Sequence, residues 1–279
     1  MSRTAAALAA FVAVLALAGC ATGTSSTSAP TTSTAAPSTT SVSDGSAQKL
    51  PQFPTAPATP ALPQSTGLSQ VQRFIGAVFN DAQTEWSKVF ASAGVQYQPA
   101  RLVLYSSAVN TACGAESAKV GPFYCPADRT VYLDTSFFDE MQQRYGVGGD
   151  FAQAYVVAHE LGHHVQNLTG VAAQVNALQQ RFPANANNLS VLTELQADCY
   201  AGVWAYSTYR RGLLEPGDLD EALTAAAAVG DDFLQKSATG SVQPEQWTHG
   251  SSAQRQHWLA VGYDSGKPAS CNTFAPPTG

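Results

Sequence analysis

The residues of this chain best spaced for chemistry are two histidines four positions apart with a glutamate beside the first, His159-Glu160-Leu161-Gly162-His163. Positions four apart on a helix lie about 40° apart around its axis, so both imidazoles can face one point. Glu160 is turned about 100° from His159. It flanks the pair, too far round to share an ion yet close enough to reach a water bound to it. Two neutral nitrogen donors with a carboxylate base beside an open position are what zinc needs to activate water. A third donor stands downstream in Glu194-Leu195-Gln196-Ala197-Asp198. Glu194 and Asp198, again four apart, share one face of a second helix. Glu194 is the expected third ligand. Asp198 is expected to accept the N–H that a ligand histidine has left over, which would fix that ring. Ala201, Gly202 and Ala205 continue this face with small residues that would let the second helix come close to the first. The expected cofactor is one Zn2+ per chain.

Other pairings are weaker. Glu160 and His164 are also four apart, but that register supplies one nitrogen and leaves His159 without a role. Cys199 lies about 140° round the helix from Glu194 and is better used in a disulfide. His257 has no carboxylate pattern around it and is expected to be a surface or a satisfied histidine.

The elements that must carry these residues follow from periodicity. Val71, Phe74, Ile75, Val78, Ala82, Trp86, Val89 and Phe90 recur at helical spacing and predict a helix from Thr66 to Ala93, stopped by Gly94. Arg101–Tyr105 and Thr130–Asp134 read as strands that can pair in a small antiparallel sheet. Phe137 and Phe138 open a short helix. Asp150 is the expected N-cap of the helix bearing the histidines, which Gly170 ends. Ser190 is the expected cap of a helix from Val191 to Tyr209. Asp218-Leu219-Asp220-Glu221 and Ser251 with Gln254 have capping-box spacing. The expected class is α+β, mostly helical, with no internal repeat.

The first quarter of the chain reads differently. Met1–Gly19 carries one positive charge, Arg3, followed by an apolar run too short for a confident membrane span. It ends in Leu17-Ala18-Gly19-Cys20, which resembles a bacterial lipoprotein signal. That resemblance implies cleavage before Cys20 and lipid on its N-terminus, hence a chain held on the outer side of the cell membrane. Residues 20–65 are rich in Ser, Thr, Ala and Pro and cannot bury enough surface to offset ordering entropy, so they are expected to be a disordered tether. Residues 66–279 are expected to fold as one domain.

Composition excludes some classes. There are 14 Lys+Arg against 20 Asp+Glu, a net charge of −6, and no basic cluster, so nucleic acid is not an expected partner. Five cysteines fit an exported protein. With Cys20 assigned to lipid, four remain and three pairings are open. Cys113–Cys125, closing a short loop, and Cys199–Cys271, tying the C-terminus to the core, are the favoured ones.

Three segments together, His159–Gln166 (HELGHHVQ), Glu194–Trp204 (ELQADCYAGVW) and His249–Arg255 (HGSSAQR), resemble the bacterial neutral zinc metallopeptidases, as do Gly121–Pro126 and Val131–Asp134. The resemblance runs from about Leu68 to Phe274. It implies a zincin-like metallopeptidase domain with His159, His163 and Glu194 as zinc ligands, the gluzincin arrangement. Peptide or protein would be the substrate, and Glu160 the base that takes a proton from the zinc-activated water. His249, followed by a helix start, is the candidate donor to the oxyanion, with Tyr206 the alternative. The strand Thr130–Asp134 is the expected place for an extended substrate to add. A different class remains open at this level, a catalytically inactive zinc-bearing envelope lipoprotein that serves as a binding or structural partner.

Overall fold

The computed structural model describes residues 68–106, 108–117 and 121–275. The signal segment 1–19, Cys20 and the whole 20–65 tether lie outside them. All described residues belong to the unit that runs from Pro54 to Gly279.

Helix α1, Leu68–Ser92, forms where the heptad-like apolar spacing predicts it. Phe74, Ile75, Val78, Phe79, Ala82, Trp86 and Phe90 are buried along one stripe. Past its end Gly94 takes φ 72°, a left-handed turn that a residue with Cβ resists. The chain then forms β1 (Arg101–Tyr105), the hairpin β2 (Ala108–Thr111) and β3 (Gly114–Ser117), β4 (Phe123–Cys125) and β5 (Thr130–Asp134).

The sheet differs from the antiparallel pair expected of the two longer strands. It has three strands in the order β1-β5-β4, and β1 runs parallel to β5, with Leu102 opposite Val131 and Leu104 opposite Leu133. The reason is the tight β4–β5 turn. It lays β4 antiparallel along one edge of β5, so β1, arriving from α1, takes the other edge in the same direction as β5. Every residue of β5 is buried, as suits a strand covered on both faces. Being central, β5 has no edge for a substrate to join, and that expectation is corrected. The edge strands of this sheet are β1 and β4, and β4 is the one whose residues reach the cavity at the histidine helix.

Helix α2 (Thr135–Tyr145) follows β5 directly, its first turn capped by Asp134, whose carboxylate accepts from the Ser136 N–H. Helix α3 (Asp150–Leu168) is the centre of the molecule, buried along almost its whole length from Phe151 to Gln166. It packs against α1, against α5 (Ala186–Arg210) and against α6 (Asp218–Ala228). Helices α4 (Val171–Arg181), α7 (Asp231–Thr239) and α8 (Ser252–Ser265) complete the helical shell.

The caps correct three expectations. Asp150 is already inside α3, and the cap position is Gly149, which has no side chain to offer. The carboxylate that caps α3 is Glu221 of α6, accepting from the Phe151 N–H at 3.1 Å. A Cβ on Gly149 would lie 2.0 Å from that carboxylate oxygen, so glycine is what admits it. Glu221 is thereby withdrawn from the box predicted with Asp218, whose own carboxylate accepts from Glu215 N instead. Ser190 sits inside α5, which starts one turn earlier after a 3₁₀ turn at Pro183–Asn185. The box at Ser251 and Gln254 is present with both reciprocal hydrogen bonds.

Small residues set the helix contacts, though not all where expected. A Cβ on Gly162 would come within 3.0 Å of the Ala197 backbone, so it is this glycine, inside the histidine motif, that lets α3 and α5 touch. Gly202 faces α8: a Cβ there would lie 2.1 Å from the Leu259 carbonyl, and one on Gly262 would lie 1.9 Å from the Cys199 carbonyl. Two disulfides form, Cys113–Cys125 and the buried Cys199–Cys271, the pairings favoured from sequence.

Candidate metal centre

The close α3–α5 contact at Gly162 brings the histidines of one helix over Glu194 of the other. His159 Nε2 lies 3.1 Å from Glu194 Oε2, and His163 Nε2 lies 3.4 Å from Glu194 Oε1. One donor atom from each of the three residues lies within 4.8 Å of the others. Two imidazole nitrogens and a carboxylate oxygen converging this closely make a donor set that fits Zn2+ and leaves a coordination position open. The described residues also hold Asp150, Asp218 and Glu221 near one another. That all-carboxylate group lacks nitrogen donors and one of its members is occupied in capping α3.

Both histidine rings are held from behind. His159 Nδ1 lies 2.8 Å from Asp198 Oδ1, the partner expected from sequence. His163 Nδ1 lies 2.9 Å from Gln166 Oε1. A carboxylate and an amide oxygen only accept, so each Nδ1 carries the proton and each Nε2 is directed toward Glu194.

Asp198 is wholly buried and would be costly alone. Arg255 answers it from α8, donating from Nε to Oδ2 at 2.9 Å and from Nη2 to Oδ1 at 3.0 Å. Arg255 is itself 3 % exposed. Its remaining donors reach the Val229 carbonyl and the Tyr155 hydroxyl, and the Tyr155 O–H donates to Asp198 at 2.6 Å. Neither Arg255 nor Tyr155 was foreseen as part of the site. The signal was present: Tyr155, His159 and His163 are spaced i, i+4, i+8 on α3, and Arg255 stands in line with Leu259 and Tyr263 on the buried face of α8. A charged residue in register with an apolar stripe calls for a buried counter-ion.

The charges follow this arrangement. Burial opposes a charged imidazole at His159, but Asp198 and Glu194 outweigh it and lift its pKa to about 10. Burial likewise opposes protonation of His163, and Glu194 reverses the sign. Glu194, despite its own burial, is held well below the carboxylate range by the two histidines. Asp198 is held down against burial by Arg255 and His159. Glu160 goes the other way, because burial raises it more than the histidines lower it. Its Oε2 is a buried oxygen with no hydrogen-bond partner.

These groups open onto one cavity of about 680 Å³. His159, Glu160, His163 and Glu194 line it together with Tyr155 and Arg255, and Phe123, Tyr124, Phe137, Met141 and Leu234 give it apolar walls. His249 is on the same cavity, half-exposed, with Nδ1 held 3.1 Å from Asp231 Oδ1. Tyr206 is not. It lines a separate cavity with Trp86 and Arg211 and packs against Gly266, so the alternative donor is set aside.

His164 is fully buried and engaged at both nitrogens, with the Tyr124 hydroxyl at 2.9 Å and the Gln98 carbonyl at 2.7 Å. It serves packing, and the Glu160–His164 register does not form a site. His257 is exposed on α8, as expected. Among the described residues no helix is long and apolar enough to cross a membrane.

Comparison with known proteins adds the following. The model of the family described as "Putative neutral zinc metallopeptidase" matches residues 17–274. The uncharacterized protein YpfJ of Escherichia coli (strain K12) is 50% identical over 206 residues, 74% of this chain and 72% of that one. The uncharacterized proteins Mb2605 of Mycobacterium bovis and Rv2575 of Mycobacterium tuberculosis (strain H37Rv) are each 48% identical over 216 residues, 74% of this chain and 71% of theirs. No solved structure matches.

Proposed function

Given that the chain belongs to the neutral zinc metallopeptidase family, we propose that it is a membrane-anchored zinc peptidase whose ligands are His159, His163 and Glu194 and whose general base is Glu160. The observation that carries this reading is the convergence of those three donors beside a buried Glu160 oxygen that has no partner. A zinc ion held there supplies Lewis acidity, lowering the pKa of a bound water and polarising the carbonyl.

The chain's own residues do the rest. Glu160 takes the proton of the attacking water as its oxygen bonds to the peptide carbon, then gives a proton to the leaving nitrogen as the C–N bond breaks. Its raised pKa suits a group that must hold a proton between those two events. Asp198 and Gln166 keep the two rings from turning. His249, steadied by Asp231 and lining the same cavity, is the donor to the oxyanion. An extended peptide lies beside β4, whose outer side is free of a partner strand among the described residues and whose Phe123 and Tyr124 line the cavity.

Lipid on Cys20 holds the domain at the extracytoplasmic face of the cell membrane. Two disulfides support that compartment, since such bonds persist where the surroundings are oxidising.

The test is Glu160→Gln. The purified variant is expected to bind one zinc per chain, measured by elemental analysis, while peptide cleavage by the wild type is lost. Wild-type protein without stoichiometric zinc, or a Glu160→Gln variant that cleaves as well as wild type, would overturn the reading.

A further inference from the structure

His159 is oriented by a carboxylate, which fixes its proton on Nδ1 without ambiguity. His163 is oriented by an amide, which can present either an oxygen or an NH2 group. What decides which end of Gln166 faces His163 is found further along the structure.

The Gln166 NH2 group lies 2.7 Å from the Thr193 carbonyl and 3.1 Å from Gln196 Oε1. The Thr193 carbonyl only accepts, so the nitrogen end must point to it and Oε1 must point to His163. Gln196 is fixed in turn, because its own NH2 group donates to the Cys271 carbonyl at 2.9 Å. Both glutamines are buried, 1 % and 5 % exposed, so a reversed amide would leave carbonyls facing oxygen with no water to relieve them. The segment carrying Cys271 cannot drift away. Its side chain is bonded to Cys199 on α5, and Thr273 donates to the Leu192 carbonyl at 2.6 Å.

We propose that Gln166 and Gln196 are positioning residues. They transmit the direction of the Cys271 carbonyl to His163, so that the disulfide-held C-terminal segment keeps the His163 ring turned with Nδ1 toward Gln166 Oε1 and Nε2 toward Glu194. The chain of acceptors and donors runs one way, from a backbone carbonyl 75 residues beyond Gln196 to the ring of His163. This rests on the reading that His163 binds the metal through Nε2. It goes beyond that reading by assigning the C-terminal segment a part in the site. The expected cost of losing such an outer partner is about 10–100-fold in metal affinity.

Two measurements on the full-length protein test it. In zinc-loaded, nitrogen-15-labelled protein the His163 ring is expected to show a solvent-protected Nδ1–H and metal on Nε2. In competition with a chromogenic chelator, Gln166→Leu is expected to bind zinc 10–100-fold more weakly than wild type, and Gln196→Leu to fall between the two, because Gln166 retains the Thr193 carbonyl. Zinc bound through His163 Nδ1 with the proton on Nε2, or wild-type zinc affinity in both variants, would overturn the proposal. Should Gln166→Leu fail to fold, the ring nitrogen that binds zinc in the wild type decides alone. A protein that binds no zinc would sink the peptidase reading, whereas zinc held through the other nitrogen of His163 would sink this proposal and leave that reading standing.

Discussion

Arg255 grips Asp198 with two of its nitrogens, Nε to Oδ2 and Nη2 to Oδ1, both at 3.0 Å or less, and the pair is buried behind His159. The site thus rests on an ion pair that spans α8 and α5 and touches the α3 ring it supports. Removing the arginine alone would leave a carboxylate buried without its counter-charge. Arg255→Met is therefore expected to cost about 3–5 kcal/mol of stability, read as a lower midpoint in urea unfolding. A midpoint equal to wild type would show that the pair is not needed for the fold.

Zinc should stabilise the folded chain by mass action, because the three donors converge only when α3 and α5 are packed. At a free zinc concentration about 100 times Kd the gain is about 2.7 kcal/mol. The expected result is a rise in Tm on adding zinc, reversed by a chelator and absent in Glu194→Ala. Survival of the full shift in that variant would remove Glu194 from the ligand set.

Gly162 is where α3 meets α5. A methyl group there meets the Ala197 Cα and carbonyl, each at 3.0 Å, which is backbone and cannot turn aside. Gly162→Ala is expected to cost about 1–3 kcal/mol by overpacking and to weaken zinc binding by parting the histidines from Glu194. Gly202→Ala, whose Cβ would sit 2.1 Å from the Leu259 carbonyl, should be harsher for stability. Calorimetry and zinc titration of both variants check the order.

Asp218 gives the fold a pH dependence away from the metal centre. Burial, with Asp150, Glu221 and Glu215 near it, raises its pKa to about 6, while Glu215 N–H donation works the other way. A raised carboxylate contributes stability that is complete below its unfolded value of 3.8 and is lost as pH climbs through about 6. Asp218→Asn keeps an acceptor for the Glu215 N–H and escapes that loss. It is expected to be more stable than wild type at pH 7 and no more stable near pH 4. Denaturant curves at the two pH values, giving the same difference at both, would count against this assignment.

The Cys199–Cys271 bond closes a span of 72 residues. In the chain-entropy account such a loop is worth about 4 kcal/mol. Replacing both cysteines by alanine should lower the unfolding midpoint accordingly under non-reducing conditions, with the difference from wild type vanishing in strong reductant.

What the sequence by itself determined is what a single helix or a short stretch dictates. His159, Glu160 and His163 have their mutual angles from helical geometry, and Glu194 and Asp198 from the same rule two helices later. The Ser251 cap is complete within four residues and formed as expected. The elements of α1, β1, β5 and α3 were legible from their apolar periods. Tertiary structure decided everything that depends on which surfaces meet. Glu221 caps a helix whose first residues lie some 70 positions earlier, and the β4–β5 turn makes the β1–β5 pair parallel. Arg255 and Gln196 join the site from behind, through buried hydrogen bonds to residues 57 and 30 positions away. Spacing along a helix is fixed by its hydrogen-bonded pitch, whereas the partner of a buried charge or amide is fixed only when packing excludes water and leaves one group within reach.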